Sequence, residues 1–245
     1  ARAMASILAG QGWVKGWTTY SRGSYLRHMP DTRKVGPMAG TVDDVIAVLL
    51  SVVGQTETPP GSNSTEVTRE LDANFPPVPL ANGGTHPRSG TSYCASGLLW
   101  ALWKAGYPVH PDGYIVVNGV PVRLFYCPQD VGQFKAAGAW VPATARAKTG
   151  DCVFYRWAGS KATSDHVGYV IDVLPDGTIV TVEFNTSPAG LVSDGGGVYT
   201  FGPGQQAPAR PRSTIVGYGR PPYADAGTIP PESRRARAQA RPVQR

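Results

Sequence analysis

Residues 165–185 read DHVGYVIDVLPDGTIVTVEFN. Two β-branched, apolar runs, 167–174 and 178–185, flank Pro175-Asp176-Gly177, and that pattern predicts an antiparallel hairpin. Counting back about eight residues on either side of the turn sets His166 roughly opposite Glu183 and Asn185, because side chains two apart share a face. Thr181 lies on that same face. An imidazole beside a carboxylate or carboxamide is an oriented base: the partner holds one ring nitrogen and leaves the other to exchange a proton. The competing reading is a polar pair on an exposed sheet face.

Working outward, 152–157 (CVFYRW) alternates and is rich in β-formers, so it predicts the strand before the hairpin. Residues 198–201 and 214–218 add two more strands. The N-terminal half is helical instead. Thr41 followed by Asp43 and Asp44 opens an apolar run that stops at Gly54. A polar helix is predicted over 64–73. Residues 74–90 read as loop, with Asn82-Gly83-Gly84 as a turn. From Cys94 to Ala105 the residues Cys94, Leu98, Leu102 and Ala105 form one stripe, closed by Gly106. Asp112-Gly113 and Asn118-Gly119 bracket a short strand, 114–117, and another short helix is expected over 129–138. Helices first and an antiparallel sheet second make an α+β fold.

Length and composition bound the rest. The chain has 245 residues, 41% of them hydrophobic, which suits one packed domain with extensions. Residues 1–40 are Gly-rich, aromatic and basic, and read as an N-terminal extension of unknown role that docks through Trp13, Trp17, Tyr20 and Tyr25. Residues 222–245 read as a disordered basic tail, where Arg234, Arg235, Arg237, Arg241 and Arg245 outnumber Asp225 and Glu232. That tail carries part of the formal +6 charge. Such a charge suits a polyanion, although solubility alone explains it equally well. No recognised nucleic-acid motif accompanies it. The longest apolar run, 45–53, is too short for a membrane span, and the first 17 residues hold no apolar core long enough for a secretory signal.

Three cysteines, Cys94, Cys127 and Cys152, lack C-x-x-C spacing, and their odd number leaves at least one thiol free. Cys94 stands where a helix begins. A thiolate there is favoured by the positive end of the helix dipole. The plainer reading is a small buried core residue. His28, His86 and His110 stand in no ligand spacing with each other or with the cysteines, and no Asp-x-Asp-x-Asp run occurs, so neither metal nor cofactor is expected.

A helix-borne cysteine followed by a hairpin with His and then Glu-x-Asn resembles the CHAP family (cysteine, histidine-dependent amidohydrolases/peptidases). Six segments carry the resemblance in order: GQTETPPGSNSTEV at 54–67, SYCASGLLWALWKAG at 92–106, KTGDCVFYRW at 148–157, DHVGYV at 165–170, EFNTS at 183–187 and TIVGYGRP at 214–221. They span about residues 41–221. The resemblance implies a papain-like domain, helices packed on a bent antiparallel sheet, with Cys94 as nucleophile, His166 as base, Glu183 as its orienting partner and Asn185 as a polar stabiliser. Asn63, Tyr93 and Trp157, which lie in three of those segments, are expected at the substrate. The backbone N–H at the cysteine would be one oxyanion donor. The residues before Cys94 are Ser92-Tyr93, where many relatives have Gln, Pro or Trp, so no side chain is named as the second donor.

Function follows as an expectation: hydrolysis of peptidoglycan, either as an N-acetylmuramoyl-L-alanine amidase or as a peptide-crossbridge endopeptidase, by a phage endolysin acting from the host cytoplasm at lysis or by a lysin on the virion tail beside other virion proteins. The tail would serve by attraction to anionic wall polymers. The alternative is a CHAP-like virion or wall-binding module that does not cut. Cys127 and Cys152 have no family role. Core packing is the expectation for both, with a disulfide between them left open.

Overall fold

The computed structural model describes residues 40–79, 84–188 and 196–223. Nearly all of the expected N-terminal extension, the Asn82-Gly83 turn and the arginine-bearing part of the tail lie outside these residues. Among the described residues the first helix, α1 (Val42–Val52), begins as the sequence dictates. Thr41 Oγ1 accepts from the Asp44 N–H at 3.2 Å, and the Asp44 carboxylate accepts the Thr41 N–H in return. Its buried stripe is Val45, Ile46 and Leu49. The second helix, α2 (Glu66–Asn74), is closed by the same reciprocal cap between Thr65 and Thr68. Ser64 stays outside it, because Thr65 supplies the capping oxygen.

The third helix, α3 (Cys94–Lys104), is buried along its first nine residues. A helix apolar all round has to lie inside the molecule. It does: α1 and α2 pack on one side of it, and the long hairpin strands pack on the other. No side chain caps its N-terminus. The N–H groups of its first turn are therefore directed at whatever lies beside Cys94. A fourth helix, α4 (Cys127–Ala136), starts two residues earlier than expected, with Pro128 in its first turn.

Eleven strands are described. Two small ribbons, β1–β2 (Val78–Pro79 with Thr85–His86) and β3–β4–β5 (Val109–His110, Tyr114–Val117, Val120–Val122), stand apart from the main sheet. The main sheet contains β6 (Trp140–Pro142), β7 (Cys152–Tyr155), β8 (His166–Val173), β9 (Ile179–Thr186), β10 (Gly197–Phe201) and β11 (Ile215–Gly219), in the order β10-β9-β8-β7-β11-β6. Every neighbouring pair is antiparallel. The expected hairpin is β8–β9, with Gly168 opposite Glu183 and a bulge between Val170 and Asp172. The fold is α+β, as expected.

Packed chain continues past the expected boundary at 221. The Tyr223 hydroxyl lies 2.8 Å from that of Tyr169, and Tyr107 donates to the Pro222 carbonyl at 3.0 Å. The short ribbons β1, β2 and β3, together with β6, were not foreseen. Their two or three residues are too few to show a period.

One contact fixes the distance between helix and sheet. A Cβ added to Gly97 of α3 would collide with the ring of Phe184 on β9. Glycine therefore lets the two elements approach. Gly97→Ala is expected to cost about 1–3 kcal/mol by overpacking, seen as a lower urea midpoint at unchanged slope. An unchanged midpoint would mean that this approach is not tight.

Candidate active site

Cys94 is the first residue of α3, and His166 the first of β8. Glu183 lies near the end of β9. The hairpin register puts Glu183 opposite Gly168, one pleat along the face from His166. Gly168 has no side chain to block the way: a Cβ there would stand 2.7 Å from Glu183 Cγ. The glutamate therefore crosses the neighbouring strand and accepts a hydrogen bond from His166 Nε2 at 3.0 Å. Both groups are fully buried.

Glu183 is held from further directions. Arg210 donates to its Oε2 from Nε at 3.1 Å and from Nη2 at 2.8 Å, and Thr181 Oγ1 donates to its Oε1 at 2.9 Å. Arg210 also reaches Thr186 Oγ1 at 2.9 Å, and its guanidinium lies over the Phe201 ring at 4.0 Å and the Trp157 ring at 5.1 Å. Burial would favour the neutral acid. The hydrogen bond and charge of His166, and the charge of Arg210, outweigh burial and hold Glu183 at about 2.

His166 shows the converse. Burial works against its charge, but its interaction with Cys94, its hydrogen bond to Glu183 and the negative charge of both raise it to about 9. With Nε2 committed to Glu183, Nδ1 is the nitrogen left for Cys94. It makes no hydrogen bond of ordinary geometry, yet ring and sulfur are near enough for each to shift the other.

Cys94 is joined to Cys127 by a sulfur–sulfur contact of 3.6 Å. That hydrogen bond lowers the Cys94 thiol well below its usual value. Burial opposes it, while His166 and the Val167 backbone N–H assist. Cys127 is pushed well up, first by the same bond and then by burial. Each sulfur stands at a helix start, so the positive ends of α3 and α4 meet at the pair. These shifts all favour the thiolate on Cys94, the imidazolium on His166 and the carboxylate on Glu183. That set can attack a carbonyl carbon and deliver a proton to the group it expels.

The structure thus brings Cys94, His166 and Glu183 together. Asn185 is buried, and its φ of +54° places it in the left-handed region. The two-residue alternation breaks there, and Thr186 shares Arg210 with Glu183. Trp157 is half-buried and stacks beside His166, ring centroids 5.9 Å apart, so it walls the site. Tyr93, expected at the substrate, is fully buried in the core and stands at the N-cap position of α3, where its side chain makes no capping hydrogen bond. Asn63 sits in the loop before α2, where its carbonyl accepts from the Gly90 N–H at 3.1 Å, and no described contact joins it to Cys94 or His166.

Sequence reasoning missed Arg210, Thr186 and the approach of Cys127. Cys127 had one signal: like Cys94, it opens a helix, and Pro128 marks the start. All three cysteines are free, so the alternative of a Cys127–Cys152 disulfide does not hold. Among the described residues no group of three or more His, Cys, Asp or Glu stands together as metal donors, and no helix is long and apolar enough to cross a membrane.

In comparison with known families, residues 86–185 fit the family model described as the CHAP domain. The match runs from β2 to Asn185 on β9 and includes Cys94, His166 and Glu183. Arg210 lies beyond it. No curated protein and no solved structure matches the chain.

Proposed function

With residues 86–185 a CHAP domain, we propose that the protein hydrolyses an amide bond of bacterial peptidoglycan through Cys94, as an N-acetylmuramoyl-L-alanine amidase or a crossbridge endopeptidase. The observation that carries the reading is the buried Cys94–His166–Glu183 relay inside the matched residues. The Cys94 sulfur attacks the carbonyl carbon. The oxyanion is met by the free N–H groups at the start of α3. His166 gives its Nδ1 proton to the leaving amine, then takes one from the water that hydrolyses the thioester. Glu183 keeps Nε2 protonated throughout, so the same nitrogen always faces the sulfur. Asn185 and Trp157 would serve as polar stabiliser and wall.

The source we favour is a phage endolysin or tail lysin, on the likeness of residues 54–67 to phage-type segments. The arginines beyond residue 233 suit anionic wall polymers, which predicts wall binding that weakens as salt rises.

The test is mass spectrometry of muropeptides after digesting diaminopimelate-type peptidoglycan with untreated and iodoacetamide-treated protein. New termini from the untreated protein alone establish the hydrolase, and their chemistry names the bond. Intact muropeptides from several wall types would favour the non-cutting module.

Two pH effects follow from the directions at the site. Alkylation of Cys94 should stay fast well below the ordinary thiol range, because the thiolate survives there. Hydrolysis should fall as pH rises through about 9, where His166 loses the proton it must donate. A rate still rising through pH 10 would exclude His166 as the acid.

A further inference from the structure

The contact between Cys94 and Cys127 has a chemistry beyond hydrolysis. Two free thiols lie 3.6 Å apart, each at the first residue of its helix. A disulfide needs about 2.05 Å, so the sulfurs have about 1.5 Å to close. Both residues are 5% exposed. Cys152 provides the contrast: it is buried in β7, burial pushes its thiol up, and no sulfur neighbour is seen for it among the described residues.

We propose that Cys94 and Cys127 form an oxidative modification site, at which a hydroperoxide converts the Cys94 sulfur to a sulfenic acid and Cys127 closes it to a reversible Cys94–Cys127 disulfide. In the first step the Cys94 sulfur attacks the terminal peroxide oxygen. The O–O bond breaks, and the departing alkoxide or hydroxide takes up a proton as alcohol or water. In the second step Cys127 sulfur attacks Cys94 sulfur. The S–O bond breaks, and the hydroxide leaves as water with the Cys127 proton. Two thiols lose two electrons, and the peroxide gains them.

The reduced pair is set for that order of events. Cys94 is the reactive sulfur. Cys127 keeps its proton chiefly because it is hydrogen-bonded to the Cys94 thiolate, with burial and the Cys94 charge adding to the effect. Conversion of Cys94 to a neutral sulfenic acid removes the bond and the charge together. Cys127 is then freed to react at the moment a partner for it exists. The disulfide blocks the nucleophile, and it also protects Cys94 from irreversible oxidation to sulfinic acid. A dithiol reductant reopens it.

The inference rests on Cys94 as the reacting sulfur, but its readout is independent of wall hydrolysis. The full chain is treated with hydrogen peroxide and digested without reduction, and its peptides are mapped by mass spectrometry. The expected product is a peptide linking Cys94 to Cys127, lighter by two hydrogens than the two thiols, with Cys152 unmodified. The link should disappear with dithiothreitol, and muropeptide release should return to its starting level. In Cys127→Ala, Cys94 should instead be captured by dimedone and pass to sulfinic acid, which dithiothreitol does not reverse. Each protein is scored against its own untreated sample, so an altered starting rate does not confuse the result. Absence of the linked peptide from oxidised wild type overturns the proposal, as does dimedone capture equal in wild type and Cys127→Ala. The linked peptide found in a protein that releases no muropeptides would uphold the pair and overturn the hydrolase reading alone.

Discussion

Cys94→Ala is expected to release muropeptides at no more than about a thousandth of the wild-type rate, with the fold intact. The substitution removes one sulfur from the first turn of α3 and leaves the helix's packing against β8 and β9 in place. What it takes away is the only group at the site whose charged form is both nucleophilic and stabilised, by Cys127, His166 and the Val167 N–H together. Cys94→Ser separates shape from chemistry. A hydroxyl fills nearly the same volume but is not brought to its anion by the same neighbours, so its loss should be almost as deep. His166→Ala should fall as far, and the double variant no further, because sulfur and imidazole act as one unit. Muropeptide release per unit time is the measurement, with far-UV circular dichroism to show that each variant folds. More than a tenth of wild-type activity in Cys94→Ala would remove it as nucleophile, and Cys127 would be the next sulfur to examine.

The elements that position this set were readable because they obey local rules. Alternation and a Pro-Asp-Gly turn fix β8 and β9, and the register they imply puts His166 beside Glu183. The cap at Thr41 and the stripe from Cys94 follow from spacing alone. What could not be read is tertiary. Arg210 comes from the Pro-rich stretch between β10 and β11, which has no period, and only the folded sheet brings it to Glu183. Cys127 is separated from Cys94 by 33 residues, and their contact depends on how two helices are set against the sheet. Asn185 is a subtler case. The period-two count gave it the face of Glu183, but a left-handed residue ends the alternation, and it is Thr186 that shares Arg210 with Glu183.

Arg210→Met is expected to destabilise the fold by about 3 kcal/mol at pH 7, with much of the hydrolysis lost as well. Glu183 is 0% exposed, and it stays ionised because His166, Arg210 and Thr181 all meet it. Removing one partner of a buried ion pair usually costs about 3–5 kcal/mol, since the charge left behind is uncompensated. The lower figure applies here because His166 still holds one hydrogen bond to the carboxylate. Methionine keeps contact with Phe201 and Trp157, so the loss reports charge more than packing. Arg210→Lys should recover part of it, since it restores the charge without the paired N–H groups. The pH dependence gives the sign. Glu183 sits at about 2 in the fold against an ordinary 4.5, so its stabilisation is present above 4.5 and is lost as pH falls towards 2. The difference between wild type and Arg210→Met should therefore be largest at neutral pH and shrink from pH 5 to pH 3, as Glu183 of the variant, no longer held down by the arginine, takes up a proton that wild type still excludes. Urea unfolding at pH 7, 5 and 3 measures it. A difference below about 1 kcal/mol at pH 7 that does not change with pH would show that Arg210 contributes nothing to the charge on Glu183, and that His166 alone sustains it.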